Sequence, residues 1–281
     1  TLLSILEPGD KVLLPTPIYS GYEPVITLAK AELIQMDTSQ PDFVLTPDLL
    51  EATLEEHGDQ VKAVILNYPS NPIGVTYTRE EVKSLADVLK KYPVVVMCDE
   101  IYSELVYDET HTSIAEFIPN QTILINGLSK SHAMTGWRIG FLFGPKELIK
   151  EIVKVHQYLV TAASTISQKA AYAALTTSMN AGEEMKKEYQ VRRNFVFKEV
   201  SRLGFEVVKP RGAFYIFAKI PTAYIQDSME FCIDLAEKDQ LAVIPGIAFG
   251  QAGEGYIRIS YAASFEKLEE AMRRLDRYMN R

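Results

Sequence analysis

Only two cysteines occur in the 281 residues, Cys98 and Cys232, far apart and in no CxxC spacing. That excludes a disulfide framework and a zinc knuckle, and a reducing cytoplasmic setting is expected. None of the four histidines shows ligand spacing, so no metal site is expected. No apolar run approaches the roughly 18 residues that cross a bilayer; the densest, Val94-Val95-Val96-Met97-Cys98, is strand-sized. Positive charge is also in deficit, with 29 Lys and Arg against 37 Asp and Glu, a net charge of −8 and a pI near 5.2. This balance argues against nonspecific binding to nucleic acid or anionic lipid. Internal repeats and low-complexity tracts are missing too.

What is present is a globular composition, 47% hydrophobic and 23% charged, with a length that suggests about two domains. The first residues, Thr1 to Asp10, resemble the last turn of an apolar helix stopped by Pro8 and Gly9, and residues upstream of Thr1 are expected. Up to about residue 145, β-branched runs at 11–14, 31–36, 61–67, 94–99, 122–126 and 139–143 alternate with helical patterns at 20–29, 46–56 and 78–91. This is the signature of βαβ units in a mostly parallel sheet. Helices are expected at 145–160, 165–178 and 182–202. The last is charged on much of its surface and suits a connecting helix. Strands at 205–208, 213–219, 242–245 and 256–260, with helices at 229–238 and 265–279, complete an α+β pattern. The expected division is a large unit at 1–180 and, at 181–281, the connecting helix with a smaller unit.

In an open α/β sheet, ligands bind beyond the carboxyl ends of the strands. Four strands lead directly into reactive side chains: residues 61–66 into Asn67-Tyr68-Pro69-Ser70-Asn71-Pro72-Ile73-Gly74, residues 94–98 into Asp99-Glu100-Ile101-Tyr102, and residues 122–126 into Gly127-Leu128-Ser129-Lys130, with Arg138 beyond. The fourth, residues 255–260, carries Arg258 inside an apolar run. Such a set suits an aldehyde cofactor bearing a phosphate and a pyridine nitrogen, pyridoxal phosphate. Its aldehyde needs a lysine amine that is neutral enough to attack, and Lys130 is the candidate. Its ring nitrogen needs a buried carboxylate, which Asp99 offers. Arg138 and Ser129 suit the phosphate, Asn71 and Tyr102 suit the phenolate oxygen, and Tyr19 suits the ring face. Arg258 suits the carboxylate of an amino acid.

Asn71-Pro72-Ile73-Gly74, Asp99-Glu100-Ile101-Tyr102, the segment from Ser129-Lys130 through Gly136-Trp137-Arg138 to Gly140, and Tyr256-Ile257-Arg258-Ile259-Ser260 together resemble the class I/II pyridoxal-phosphate aminotransferases of fold type I. The Lys-to-Arg segment is the most specific, and the order spans nearly the whole chain. The resemblance implies a three-layer α/β fold with a smaller C-terminal α+β domain. It implies an imine on Lys130, which afterwards shuttles the proton, and the roles above for Tyr19, Asn71, Asp99, Tyr102, Ser129, Arg138 and Arg258, with Asn71 and Arg258 also touching substrate. It further implies ping-pong exchange between an L-amino acid and a 2-oxo acid in a homodimer with shared active sites. The family's N-terminal arm, a glycine contacting substrate and the helix start that supports the phosphate would all lie ahead of Thr1. Where some members have a hydroxyl residue for the phosphate, this chain has Gly127, and its stacking residue is Tyr19 rather than tryptophan.

Singly, each residue has a plain structural reading: Asn71 as a turn former, Asp99 as a helix cap, Lys130 as a solvated loop lysine, the arginines as ion-pair partners. Jointly, independent turn and surface roles would not reproduce this order. His132 is expected in loop packing, because Lys130 already supplies a proton shuttle. The segment Pro210 to Tyr215 reads equally as an approach to substrate or a turn into a strand. Two other outcomes use the same residues: a carbon–sulfur β-lyase, and the cofactor-binding effector domain of a transcription regulator. Aromatic, acidic and diaminopimelate-type donors are all left open.

Overall fold

The alternating runs become a six-stranded sheet in the computed structural model, which describes residues 1–281. Its strands are β1 (Lys11–Thr16), β2 (Glu32–Asp37), β3 (Val61–Asn67), β4 (Val95–Asp99), β5 (Thr122–Gly127) and β6 (Gly140–Phe143), in the order β2-β1-β3-β4-β5-β6. The first five run parallel, while β6 returns antiparallel to β5, with Gly127 opposite Gly140. A parallel return usually needs a full crossover helix. Here residues 128–139 contain only one α-helical turn, α5 (Leu128–Ser131), and a loop with a 3-10 turn at Thr135–Trp137, so the chain doubles back. That tight return keeps Ser129, Lys130 and Arg138 at the carboxyl end of the sheet.

Helices α1 (Leu2–Ile5), α2 (Tyr22–Leu28), α3 (Pro47–His57) and α4 (Arg79–Leu89) cover the two faces. Along β3, Val64 and Leu66 join a cluster with Leu50 and Leu54 of α3 and Leu85 and Leu89 of α4. Ala63 and Ile65 point the other way, towards Leu2 and Ile26. This period of two, apolar on both faces, makes the sheet a middle layer. Full burial of a side chain such as Leu89 contributes about 1.5–3 kcal/mol. Helix α4 begins at a capping box in which Thr78 and Glu81 satisfy each other's backbone N–H groups.

Beyond α6 (Lys146–Leu159) and α7 (Thr165–Thr177), the long α8 (Ala181–Arg202) leads to a second, antiparallel sheet of order β7-β8-β10-β9. It comprises β7 (Glu206–Val207), β8 (Tyr215–Lys219), β9 (Ile244–Pro245) and β10 (Tyr256–Ser260), and it packs with α8, α9 (Ser228–Asp239) and α10 (Phe265–Met279). Several contacts bring the sheets together. Arg211 and Gly212 donate their backbone N–H groups to the Gly74 carbonyl, and Phe43 packs edge-on against Phe217 and Tyr256.

Candidate active site

The parallel strands β3, β4 and β5 end side by side, and their loops open towards the second sheet. A cavity of about 420 Å³ lies there. Tyr19, Asn71, Asp99, Tyr102, Ser129, Lys130, Arg138 and Arg258, drawn from positions 19 to 258, all line it. The sequence reading did not assign Tyr22, Asn67, Ile101, Thr135 and Tyr215 to the site, and these complete the wall.

Asp99 is the last residue of β4. Tyr22 of α2 donates its hydroxyl to Oδ2 at 2.7 Å, and the Ile101 N–H donates to Oδ1 at 3.1 Å. Burial pushes the Asp99 carboxyl above its ordinary range, against the pull of these two donors and of Lys130. Asn67, at the end of β3, straps the neighbouring strand ends: its amide donates to the Asp99 carbonyl at 3.0 Å and its Oδ1 accepts from the Asn71 N–H at 3.0 Å. On the far side, the Glu100 carboxylate meets His111 Nε2 at 2.7 Å and accepts from the Ser113 hydroxyl at 2.6 Å, which anchors the turn after Asp99.

Lys130 sits in α5, immediately after β5. Its Nζ lies 5.9 Å from the ring centroids of both Tyr102 and Phe214. Burial depresses the Lys130 ammonium most, the charges of Arg138 and Arg258 add to that, and Asp99 opposes. An amine with this bias is closer to the neutral nucleophile than a surface lysine. Arg138 takes a left-handed backbone at φ 52° and donates from Nη1 to the Thr135 carbonyl at 2.9 Å. Thr135 in turn donates to the Ser129 carbonyl at 2.8 Å, so the return loop is braced from within. Space at Gly127 is tight: a Cβ there would stand 3.2 Å from both the Gly140 Cα and the Ile139 carbonyl, so a side chain would press the β5–β6 pair apart by a few tenths of an ångström.

Arg258 enters from β10. Its Nη1 donates to Asn71 Oδ1 at 2.8 Å, and its guanidinium carbon lies 4.5 Å from the Tyr215 ring centroid and 4.9 Å from that of Phe249. Its Nε is buried and has no acceptor. A buried, unpartnered guanidinium N–H beside a cavity matches a ligand carboxylate. Tyr102, 3% exposed, shares a 2.8 Å hydroxyl–hydroxyl bond with Tyr215. Tyr19 is half exposed at the rim, edge-on to Tyr22. His132 bonds Ser131 and the Ser178 carbonyl and does not line the cavity, in keeping with loop packing.

The family description "aminotransferase class I and II" matches residues 1–275. The chain is 49% identical over 276 residues to a probable N-acetyl-LL-diaminopimelate aminotransferase of Bacillus subtilis, which covers 98% of this chain and 69% of that protein. It is 40% identical over 284 residues to an aspartate aminotransferase of Pyrococcus abyssi, covering 99% and 72%. Among solved structures, an aromatic aminotransferase from Pyrococcus horikoshii superposes with a TM-score of 0.94 at 40% identity, covering 99% of this chain and 75% of that one.

Proposed function

Since the chain belongs to the class I and II aminotransferases, which are pyridoxal-phosphate-dependent enzymes of fold type I, we propose that its cavity carries out amino-group transfer with Lys130 as the reactive amine and Asp99 as its electrostatic counterpart. The single observation that carries this assignment is the convergence of eight side chains, drawn from both sheets and the loops between their strands, on one cavity. The residues suit the cofactor. An acid raised by burial, as Asp99 is, gains most from a cationic ring nitrogen, and Arg138 and Ser129 stand on the same wall for a phosphate.

Bound pyridoxal phosphate supplies an aldehyde that condenses with amines and a ring that withdraws electrons. The protein's own groups do the rest. Arg258 binds the α-carboxylate of the amino acid through its free Nε edge, while Asn71 holds the opposite edge of the guanidinium. Tyr102 and Asn71 would donate hydrogen bonds to the cofactor's phenolate oxygen, and Tyr19 would cover its ring face. The Lys130 amine would carry the proton between the amino acid α-carbon and the cofactor, and its basicity, lowered mainly by burial, would make that proton easier to give up than on a surface lysine.

We further place the unit boundary at 180/181. The second hydrophobic cluster supports it, since apart from Tyr107 its members all lie in 196–279. A homodimer in the cytoplasm fits two features: the exposed apolar side chains of α6 and α7, among them Tyr158, Ile166 and Tyr172, and the two buried free thiols.

The test follows the cofactor's visible spectrum in the full chain with a panel of amino acid donors and 2-oxo acid acceptors. A donor should convert the aldehyde form to the amine form, and an acceptor should restore it. Lys130→Ala should lower turnover by about 10³-fold or more with the fold retained by circular dichroism. Near-normal turnover in that variant would refute the assignment.

A further inference from the structure

Tyr215 opens β8, and its position is set by the antiparallel pairing with β10. Tyr215 lies opposite Ser260, and Arg258 lies opposite Phe217. Residues two apart on a strand share a face, so Tyr215 and Arg258 are diagonal neighbours, within reach of an aromatic ring and a long side chain. The Arg258 guanidinium accordingly lies 4.5 Å from the Tyr215 ring centroid. The same side chain crosses the cavity at its other end, where its hydroxyl meets that of Tyr102 at 2.8 Å, and neither hydroxyl has another protein partner. Tyr215 and Tyr102 are 7% and 3% exposed, so the hydroxyl pair is shielded from bulk water, and Arg258 is partly buried beside them.

We propose that Tyr215 is a positioning residue that couples Arg258, on the substrate side, to Tyr102, on the cofactor side. This rests on the assignment of those two residues given above. The ring restrains the guanidinium in the plane that leaves its Nε edge free, a cation–π contact strengthened by desolvation. The hydroxyl decides where the Tyr102 proton points. In the bare pair either oxygen can donate. With an anionic oxygen set against Tyr102, that proton turns to the anion and Tyr215 becomes the donor to the Tyr102 oxygen. A hydroxyl that accepts one hydrogen bond donates the next more strongly. Tyr215 therefore reinforces Tyr102 as a donor, and its own ring senses whether Arg258 is engaged.

Four variants separate the two halves of this role. The full chain is loaded with pyridoxal phosphate, and its visible absorbance is titrated against pH. Tyr215→Phe keeps the ring and loses the hydroxyl, which leaves more negative charge beside Lys130 Nζ, so that nitrogen holds its proton to higher pH. The absorbance midpoint should rise by about 0.3–1 pH unit. Tyr102→Phe should raise it at least as far, and the double variant should move no further than Tyr102→Phe alone. Binding of 3-phenylpropionate, a plain carboxylate probe, should stay within about twofold in Tyr215→Phe and weaken about fivefold or more in Tyr215→Leu. An unmoved midpoint in Tyr215→Phe, or shifts that add in the double variant, overturn the coupling even if Tyr215→Leu fails to fold. Unchanged probe binding in a folded Tyr215→Leu overturns the Arg258 half. A wild-type chain that takes up no Lys130-dependent absorbance overturns the underlying assignment and this proposal with it.

Discussion

The two walls of the cavity are built by different means. On the large-sheet wall, Asp99 and Lys130 stand at or just beyond the ends of parallel strands, Asp99 held by the Ile101 N–H and the Tyr22 hydroxyl, and they bias each other's ionisation. On the small-sheet wall, Arg258 stands mid-strand, is held by two aromatic rings and one amide oxygen, and keeps its charge at any working pH. The first wall is suited to moving protons and the second to recognising an anion. Disturbing the first should strike the chemical step, and disturbing the second should strike binding.

Asp99→Asn tests the first wall most severely, because an amide of the same shape cannot hold a positive charge on the ring nitrogen. We expect kcat to fall about 10³-fold with KM changed much less, measured with the best donor under steady-state conditions. A loss confined to KM would break the distinction between the walls. Arg258→Leu is the matching change on the second wall. It should lower kcat/KM by about 10²-fold, mostly through KM, and raise the dissociation constant of a plain carboxylate in parallel. A pure kcat effect there would mean that Arg258 acts on the reacting atoms.

The same contrast explains what the residue pattern revealed. The large-sheet residues follow apolar runs directly, so β3 at Val61–Asn67 and the placement of Asp99 and Lys130 at strand ends could be read from periodicity and the switch to polar residues. Helix α10 matched its expected span of Phe265–Met279, because a strong apolar stripe starts after a capping Ser264. Helix α2 begins later than expected, at Tyr22, with Pro24 confined to its first turn, where a missing N–H costs nothing. The supporting residues were not legible. Tyr22 reads as a helix-face aromatic, yet its hydroxyl reaches Asp99, 77 positions away. Tyr215 sits in a segment that read equally as a turn, and its role depends on β8–β10 register, which no local spacing encodes. The antiparallel entry of β6 likewise follows from a return too tight for a crossover, a property of the loop rather than of the strand.

The smallest expected effect concerns stability, and it separates the walls by pH. The folded protein holds the Lys130 ammonium where burial and two arginines disfavour it, so its pKa lies below that of the unfolded chain. Below the lowered value both states are protonated and the folded state bears the full penalty. Between the lowered value and the ordinary lysine value near 10.4, the unfolded state binds more protons, so stability rises with pH and the penalty fades. Lys130→Met should therefore melt about 1–3 °C higher than the parent chain at pH 7, a modest gain because Lys130 is only about half-buried and water screens it. The gain should shrink towards pH 10. Melts are run without added pyridoxal phosphate, whose binding would stabilise the parent chain by mass action. Arg258→Met provides the contrast when it is made beside Lys130→Met: with the ammonium that Arg258 disfavours gone, and the guanidinium itself protonated over the whole range, its effect on the melting temperature should be the same at pH 7 and pH 10. A Lys130→Met difference as flat as that of Arg258→Met would show that the two walls do not differ in proton-holding after all.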